Sequence, residues 1–192
     1  MGTCGPQDFD APHSDIRYSS NMAQTAAVIP VEEYLAHETK PASEYEDGVV
    51  RQKPMPMRKH GLLQQRIGQL IDAAAPSLEC ASEVTVQVRP GKFMVPDLIV
   101  QRRDAIQDPY PTEPVHLCIE VLSPTDRTSE AFAKCGEYHS WGVTFTWIVD
   151  PENRRAWQFV QGQRPADVPA DGYLRAGELS IRLGDLFSVL DS

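Results

Sequence analysis

The sequence predicts an α/β sandwich: a mixed β-sheet flanked by helices, with extra β elements toward both ends. Three observations carry this. The elements run in the order hairpin, helix, three strands, helix, strand and further β. One long stretch is amphipathic at helical spacing, with Leu63, Ile67, Leu70, Ile71 and Ala74 on a single stripe. Strand candidates alternate with period two, as in Val84, Val86 and Val88.

Residues 1–27 are polar without a sustained period, which predicts a loose tail ahead of one domain over 28–192. Met22 is a second candidate start. Val31 to Glu38 reads as a short helix. Glu44 to Arg51 reads as a hairpin, with Asp47-Gly48 as its two-residue turn. A helix follows from about Lys59 to Ala75. At about 100° per residue, His60 points the way Ile67 and Ile71 do, at the first turn of the inward face. A histidine there can serve a site or simply hydrogen-bond at the core edge.

After Pro76 come three strands, Val84 to Arg89, Phe93 to Val100 and Val115 to Leu122, the first two joined by Arg89-Pro90-Gly91-Lys92. Residues 101–114 form a charged, Pro-rich connection. Ser123 to Thr128 has helix-start chemistry with several candidate N-caps. The helix spans Ser129 to Ser140, with Ala131, Phe132, Cys135 and Tyr138 inward and Lys134 on the flank. Val143 to Val149 and Arg154 to Val160 are strands around a turn at 150–153. A polar loop fills 161–172, and a last strand and helical turn lie between Gly177 and Leu190.

Composition narrows the function. No run of about 18 apolar residues exists, so no membrane span is expected. The first residues lack a basic start and an apolar core, so no signal peptide is expected. The four cysteines, at 4, 80, 118 and 135, form no CxxC pair. This is cytoplasmic usage rather than a disulfide framework or zinc site. The formal charge of −9 and pI near 5.0 argue against a broad basic face for nucleic acid. A small basic rim around an acidic pocket stays compatible with them.

Two acids stand inside apolar strand runs: Asp97 in Val95-Pro96-Asp97-Leu98-Ile99-Val100, and Glu120 in Cys118-Ile119-Glu120-Val121-Leu122. Burying an ionised carboxylate without a partner is costly. Alternation puts Asp97 on the face of Val95 and Ile99, and Glu120 on that of Cys118 and Leu122. If the strands are neighbours, the acids converge. Either a bound cation relieves their repulsion, or backbone N–H groups or an arginine hold each one.

The ordered set of motifs resembles the Uma-two family of restriction-endonuclease-like proteins, in the PD-(D/E)XK nuclease superfamily. Over residues 28–190 its pieces are Glu33-Tyr34-Leu35, Glu44-Tyr45-Glu46-Asp47-Gly48, His60 opening a helix, Pro96-Asp97, and Glu120-Val121-Leu122-Ser123-Pro124. Arg127, Lys134 with Tyr138, Gly142, and Trp147-Ile148-Val149-Asp150-Pro151 follow. The resemblance implies a restriction-endonuclease-like core of a helix, a mixed four-stranded sheet and a second helix. It implies Mg²⁺, with Mn²⁺ as substitute, held by Asp97, Glu120 and the backbone carbonyl of Val121. The family's N-terminal acid matches Glu44, with Glu46 as rival, and its histidine matches His60. The superfamily's ExK lysine would stand at Leu122; Lys134 on the next helix is the matching cation.

The expected activity is metal-dependent endonuclease cleavage of nucleic acid, DNA foremost, at Glu44, His60, Asp97, Glu120 and Lys134. In that reading Glu44 binds a second ion or a metal-bound water, and the three acids converge on one ion. Lys59, Gln87, Arg89 and Lys92 are candidate rim contacts to phosphates. A homodimer would suit double-strand cleavage. The alternatives are a catalytically inactive nuclease-fold module that binds nucleic acid or a protein, and a hydrolase of a small phosphorylated substrate.

Overall fold

The structure, a computed structural model, describes residues 28–37 and 39–191. The tail expected over 1–27 (with Cys4 in it), Glu38 (the expected end of the first helix) and Ser192 lie outside the described residues. Helix α1 is Val31–Ala36. Strands β1, Ser43–Glu46, and β2, Val49–Gln52, pair antiparallel across the Asp47-Gly48 turn. Both turn residues have positive φ, 46° and 94°, as a two-residue hairpin turn of this kind requires. Helix α2 is Arg58–Ala74. Strands β3, Leu78–Ser82, β4, Val86–Arg89, β5, Lys92–Met94, β6, Leu98–Arg102, and β7, Leu117–Val121, follow. Helix α3, Thr128–Trp141, leads to β8, Phe145–Asp150, and β9, Arg155–Val160. The chain continues through β10, Ala166–Val168, β11, Tyr173–Ala176, β12, Leu179–Arg182, α4, Leu183–Phe187, and a 3-10 turn, Ser188–Asp191.

The central sheet has six strands in the order β10-β9-β8-β7-β6-β3. Its β7–β8 pair is parallel and the others are antiparallel, so the sheet is mixed. Parallel strands need a long crossover, and α3 provides it. Gly142, at φ +119°, ends α3 and turns the chain toward β8. The two faces of β7 go to different helices. Leu117, Ile119 and Val121 pack with Leu63, Ile67 and Ile71 of α2. On the other face Cys118 packs with Tyr138 of α3, and Leu122, just past the strand, with Ala131 and Cys135. Cys118 and Cys135 are buried free thiols, as small core residues.

A second, four-stranded sheet, β2-β1-β5-β4, stands beside the first. It corrects one sequence expectation. Phe93 to Val100 is not one strand: β5 belongs to the small sheet and β6 to the large one. The break falls at Val95-Pro96-Asp97, where proline has no N–H for a ladder. Strands β3, β10 and β11 also arise where sequence alternation is too short to read. Among the described residues no helix is long and apolar enough to cross a membrane.

Candidate active site

The strand break places Asp97 just outside β6, where its side chain is no longer committed to a sheet face. In the β6–β7 register Ile99 faces Cys118 and Leu98 faces Ile119, so one further step sets Asp97 opposite Glu120. Both acids are buried, at 3% and 7% exposure.

Asp97 is held by donors on both oxygens. Lys53 Nζ is 2.6 Å from Oδ1. The Val121 backbone N–H donates to Oδ2 at 2.7 Å, and His60 Nε2 lies 3.1 Å from the same oxygen. Burial alone would raise the Asp97 pKa; His60 and Lys53 together outweigh it and hold the carboxyl below the ordinary aspartate range. Conversely, burial depresses His60, but its contact with Asp97 raises it above the ordinary histidine value. His60 Nδ1 is buried without a partner among the described residues.

Glu120 meets fewer close donors. The Tyr138 hydroxyl donates to Oε1 at 2.6 Å, and Lys134 Nζ stands 3.9 Å from Oε2. Burial pushes the Glu120 carboxyl up to about 7; Lys134 opposes the shift and the neighbouring Asp97 charge adds to it. Lys134 reaches in from the flank of α3 and donates to Glu44 Oε1 at 2.8 Å. Burial lowers the Lys134 pKa, but Glu120 and Glu44 raise it further, so its ammonium stays charged. The Val95 N–H donates to the same Glu44 oxygen at 3.3 Å.

All five expected side chains, with Val121, line one cleft of about 1050 Å³ between the sheets. Arg51, Lys40 and Arg127 line it too. Glu46 does not; it pairs with Lys92 and Arg89. The expected rim cations are largely engaged elsewhere: Arg89 with Asp47, Lys92 also with Glu137, and Lys59 with Glu152.

The convergence of Glu44, Asp97 and Glu120 on one ion is not formed. Among the described residues no three His, Cys, Asp or Glu side chains gather as a metal-holding group. Glu44 is instead anchored to Lys134. The remaining donors, two carboxylates and the Val121 carbonyl, are hard oxygens, and Mg²⁺ characteristically takes one or two carboxylates and keeps several waters. That donor set fits such an ion.

Two residues of the site carry no role in the sequence reading. Lys53 follows β2, and the hairpin turn already hints at it. A two-residue turn at Asp47-Gly48 sets Arg51 opposite Glu44, and Lys53 shares the parity of Arg51. Tyr138 lies one turn after Lys134 on α3, and a fully buried tyrosine hydroxyl needs a partner.

The family model described as "Putative restriction endonuclease", Uma2, matches residues 31–183. The chain belongs to the Uma2 family. The fold of this Uma2 protein is similar to the crystal structure of "a putative nuclease belonging to DUF820" from Anabaena variabilis ATCC 29413. The TM-score is 0.73 at 25% identity, covering 84% of this chain and 99% of that one. A further likeness, to a chain of a DrdV–DNA complex, has a TM-score of 0.38 at 18% identity and covers 65% of this chain and 10% of that one. No curated protein matches this chain. In the Uma2 protein Leu122, at the ordinary ExK position, is buried against Ala131, Cys135 and Ile148, so the strand offers no ammonium there.

Proposed function

We propose that this Uma2-family protein is a Mg²⁺-dependent endonuclease that hydrolyses phosphodiester bonds of nucleic acid, with DNA as the expected substrate. The observation that carries the reading is the placement of Glu44, His60, Asp97, Glu120 and Lys134 along one cleft, with the two central carboxylates opposite each other. Asp97, Glu120 and the Val121 carbonyl would hold the ion. When bound, Mg²⁺ supplies Lewis-acid polarisation of the phosphate and acidifies a water. Lys134 faces the charge that develops on the phosphoryl oxygens, where a preorganised cation is most effective. Glu44 positions that ammonium. His60, fixed through Asp97, orients a water or the scissile phosphate. A homodimer with paired sites would suit cleavage of both strands.

One observation favours a second reading, a nuclease-fold module that binds without cleaving: Lys53 already neutralises Asp97. A cleavage assay on duplex and single-stranded DNA and RNA, with Mg²⁺ or Mn²⁺, decides between them. Expected is metal-dependent cleavage that Asp97→Ala abolishes. Lys134→Ala should lower kcat by about 100-fold and leave KM nearly unchanged, because the charge it meets appears in the transition state. Binding of these nucleic acids without cleavage of any of them would support the module.

A further inference from the structure

Lys53 projects from the chain just past β2, with its side chain only 12% exposed. Its ammonium has three N–H donors. One meets the Val95 carbonyl at 2.9 Å and another meets Asp97 Oδ1 at 2.6 Å. Glu83 Oε2 lies 3.6 Å away, an ion pair rather than a hydrogen bond. Glu83 is itself fixed, its N–H donating to the Asp97 carbonyl at 3.2 Å and its side chain accepting from Gln64 at 3.0 Å. The ammonium of Lys53 is therefore held by two hydrogen bonds and a second carboxylate nearby. Lys134 differs: among the described residues its one short contact is to Glu44, and it is more exposed, at 28%.

We propose that Lys53 is a built-in counter-cation for Asp97, a resident charge that a divalent ion must displace, so that it sets the metal concentration at which the site loads. The inference rests on the reading of Asp97 as a metal ligand. Oδ2 already faces two donors, and the Lys53 ammonium stands 2.6 Å from Oδ1, on the oxygen left for an ion to approach. The Val121 N–H belongs to a sheet strand, and His60 sits in the first turn of α2. Lys53 hangs on a flexible four-carbon stem and lines the open cleft, so it is the donor able to swing away. Its charge also repels any cation approaching Asp97. Without metal, the lysine keeps a buried carboxylate paired and the pocket assembled. An incoming phosphate would offer the displaced ammonium a new partner, which couples ion loading to substrate binding.

The test is Mn²⁺ titration of the full chain by calorimetry, without substrate, paired with melting in EDTA and in MnCl₂. Lys53→Met keeps the length and apolar stem and removes the charge. It should bind Mn²⁺ at least about tenfold more tightly than wild type. It should also melt lower in EDTA and gain more on adding Mn²⁺. Lys53→Arg, which keeps the charge, should bind as weakly as wild type. If Lys53→Met fails to fold, Lys53→Gln, which keeps a donor for the Val95 carbonyl, replaces it in the same titration. Equal Mn²⁺ affinity in wild type and the neutral variant, with binding abolished by Asp97→Asn, overturns the counter-cation role and leaves the metal reading intact. Absence of Mn²⁺ binding in every one of these proteins overturns both. Tighter binding by the neutral variant in a protein that cleaves nothing upholds the counter-cation and overturns the nuclease.

Discussion

Asp97 and Glu120 face each other across two strands, and their surroundings could hardly differ more. Asp97 collects a lysine, a histidine and a backbone N–H, and is held ionised. Glu120 has a tyrosine hydroxyl and a lysine at 3.9 Å, and burial pushes it up to about 7. The difference is one of donor supply: burial raises both carboxyls, and only at Asp97 do nearby cations outweigh it. Two acids whose environments separate their acidities can divide labour, one as a permanent anion and the other gaining charge near neutrality.

The sharpest way to break this contrast is at its ionised end. Asp97→Asn removes the charge that Lys53 and His60 are organised around and leaves a buried ammonium short of a partner. Two facing acids considered alone would suggest relief of repulsion and a more stable metal-free protein. The pairing at Asp97 predicts the opposite, a loss of about 3 kcal/mol in urea denaturation with EDTA present. An unchanged or raised stability would show that repulsion dominates after all.

The second effect isolates the other end. Between about 4.5 and about 7 the folded chain keeps the Glu120 proton that the unfolded chain has released, so stability falls as pH rises through that window. His60, raised in the fold, adds in the same direction as pH climbs past its ordinary value. Asp97, lowered in the fold, contributes stability above its ordinary pKa and loses it only as pH falls further. The melting temperature in EDTA should therefore drop by about 5 °C from about pH 5 to about pH 7.5. Glu120→Gln should flatten most of that slope. A wild-type profile already flat across this range would mean that Glu120 is ionised throughout.

The smallest effect sharpens the comparison. Tyr138→Phe removes a short hydrogen bond to Glu120 and should cost about 1 kcal/mol. Because that hydroxyl favours the carboxylate, the midpoint of the pH profile should also move up. A downward move would assign the tyrosine the reverse role.

The local pattern of the chain determined a good deal of this. The Asp47-Gly48 turn fixed the hairpin and its register, because only a two-residue loop fits between the two runs. The stripe from Leu63 to Ile71 fixed α2 and aimed His60 inward. Strand parity put Glu120 on the face that α3 covers, and the flank position of Lys134 on that helix brought its ammonium to the carboxylate. The split of Phe93 to Val100 between two sheets was not legible: Pro96 marks where the ladder breaks, but the run is apolar on both sides of it, and only the packing of the second sheet assigns β5 and β6 to different sheets. Nor was the fate of Glu44, whose partner lies 90 residues along the chain. The clamp on Asp97 is the clearest case. Lys53 and Asp97 are 44 residues apart, and no period or motif relates them. Their pairing exists because the small sheet docks against the end of the large one, and a carboxylate buried at that junction requires a cation from whichever segment passes closest.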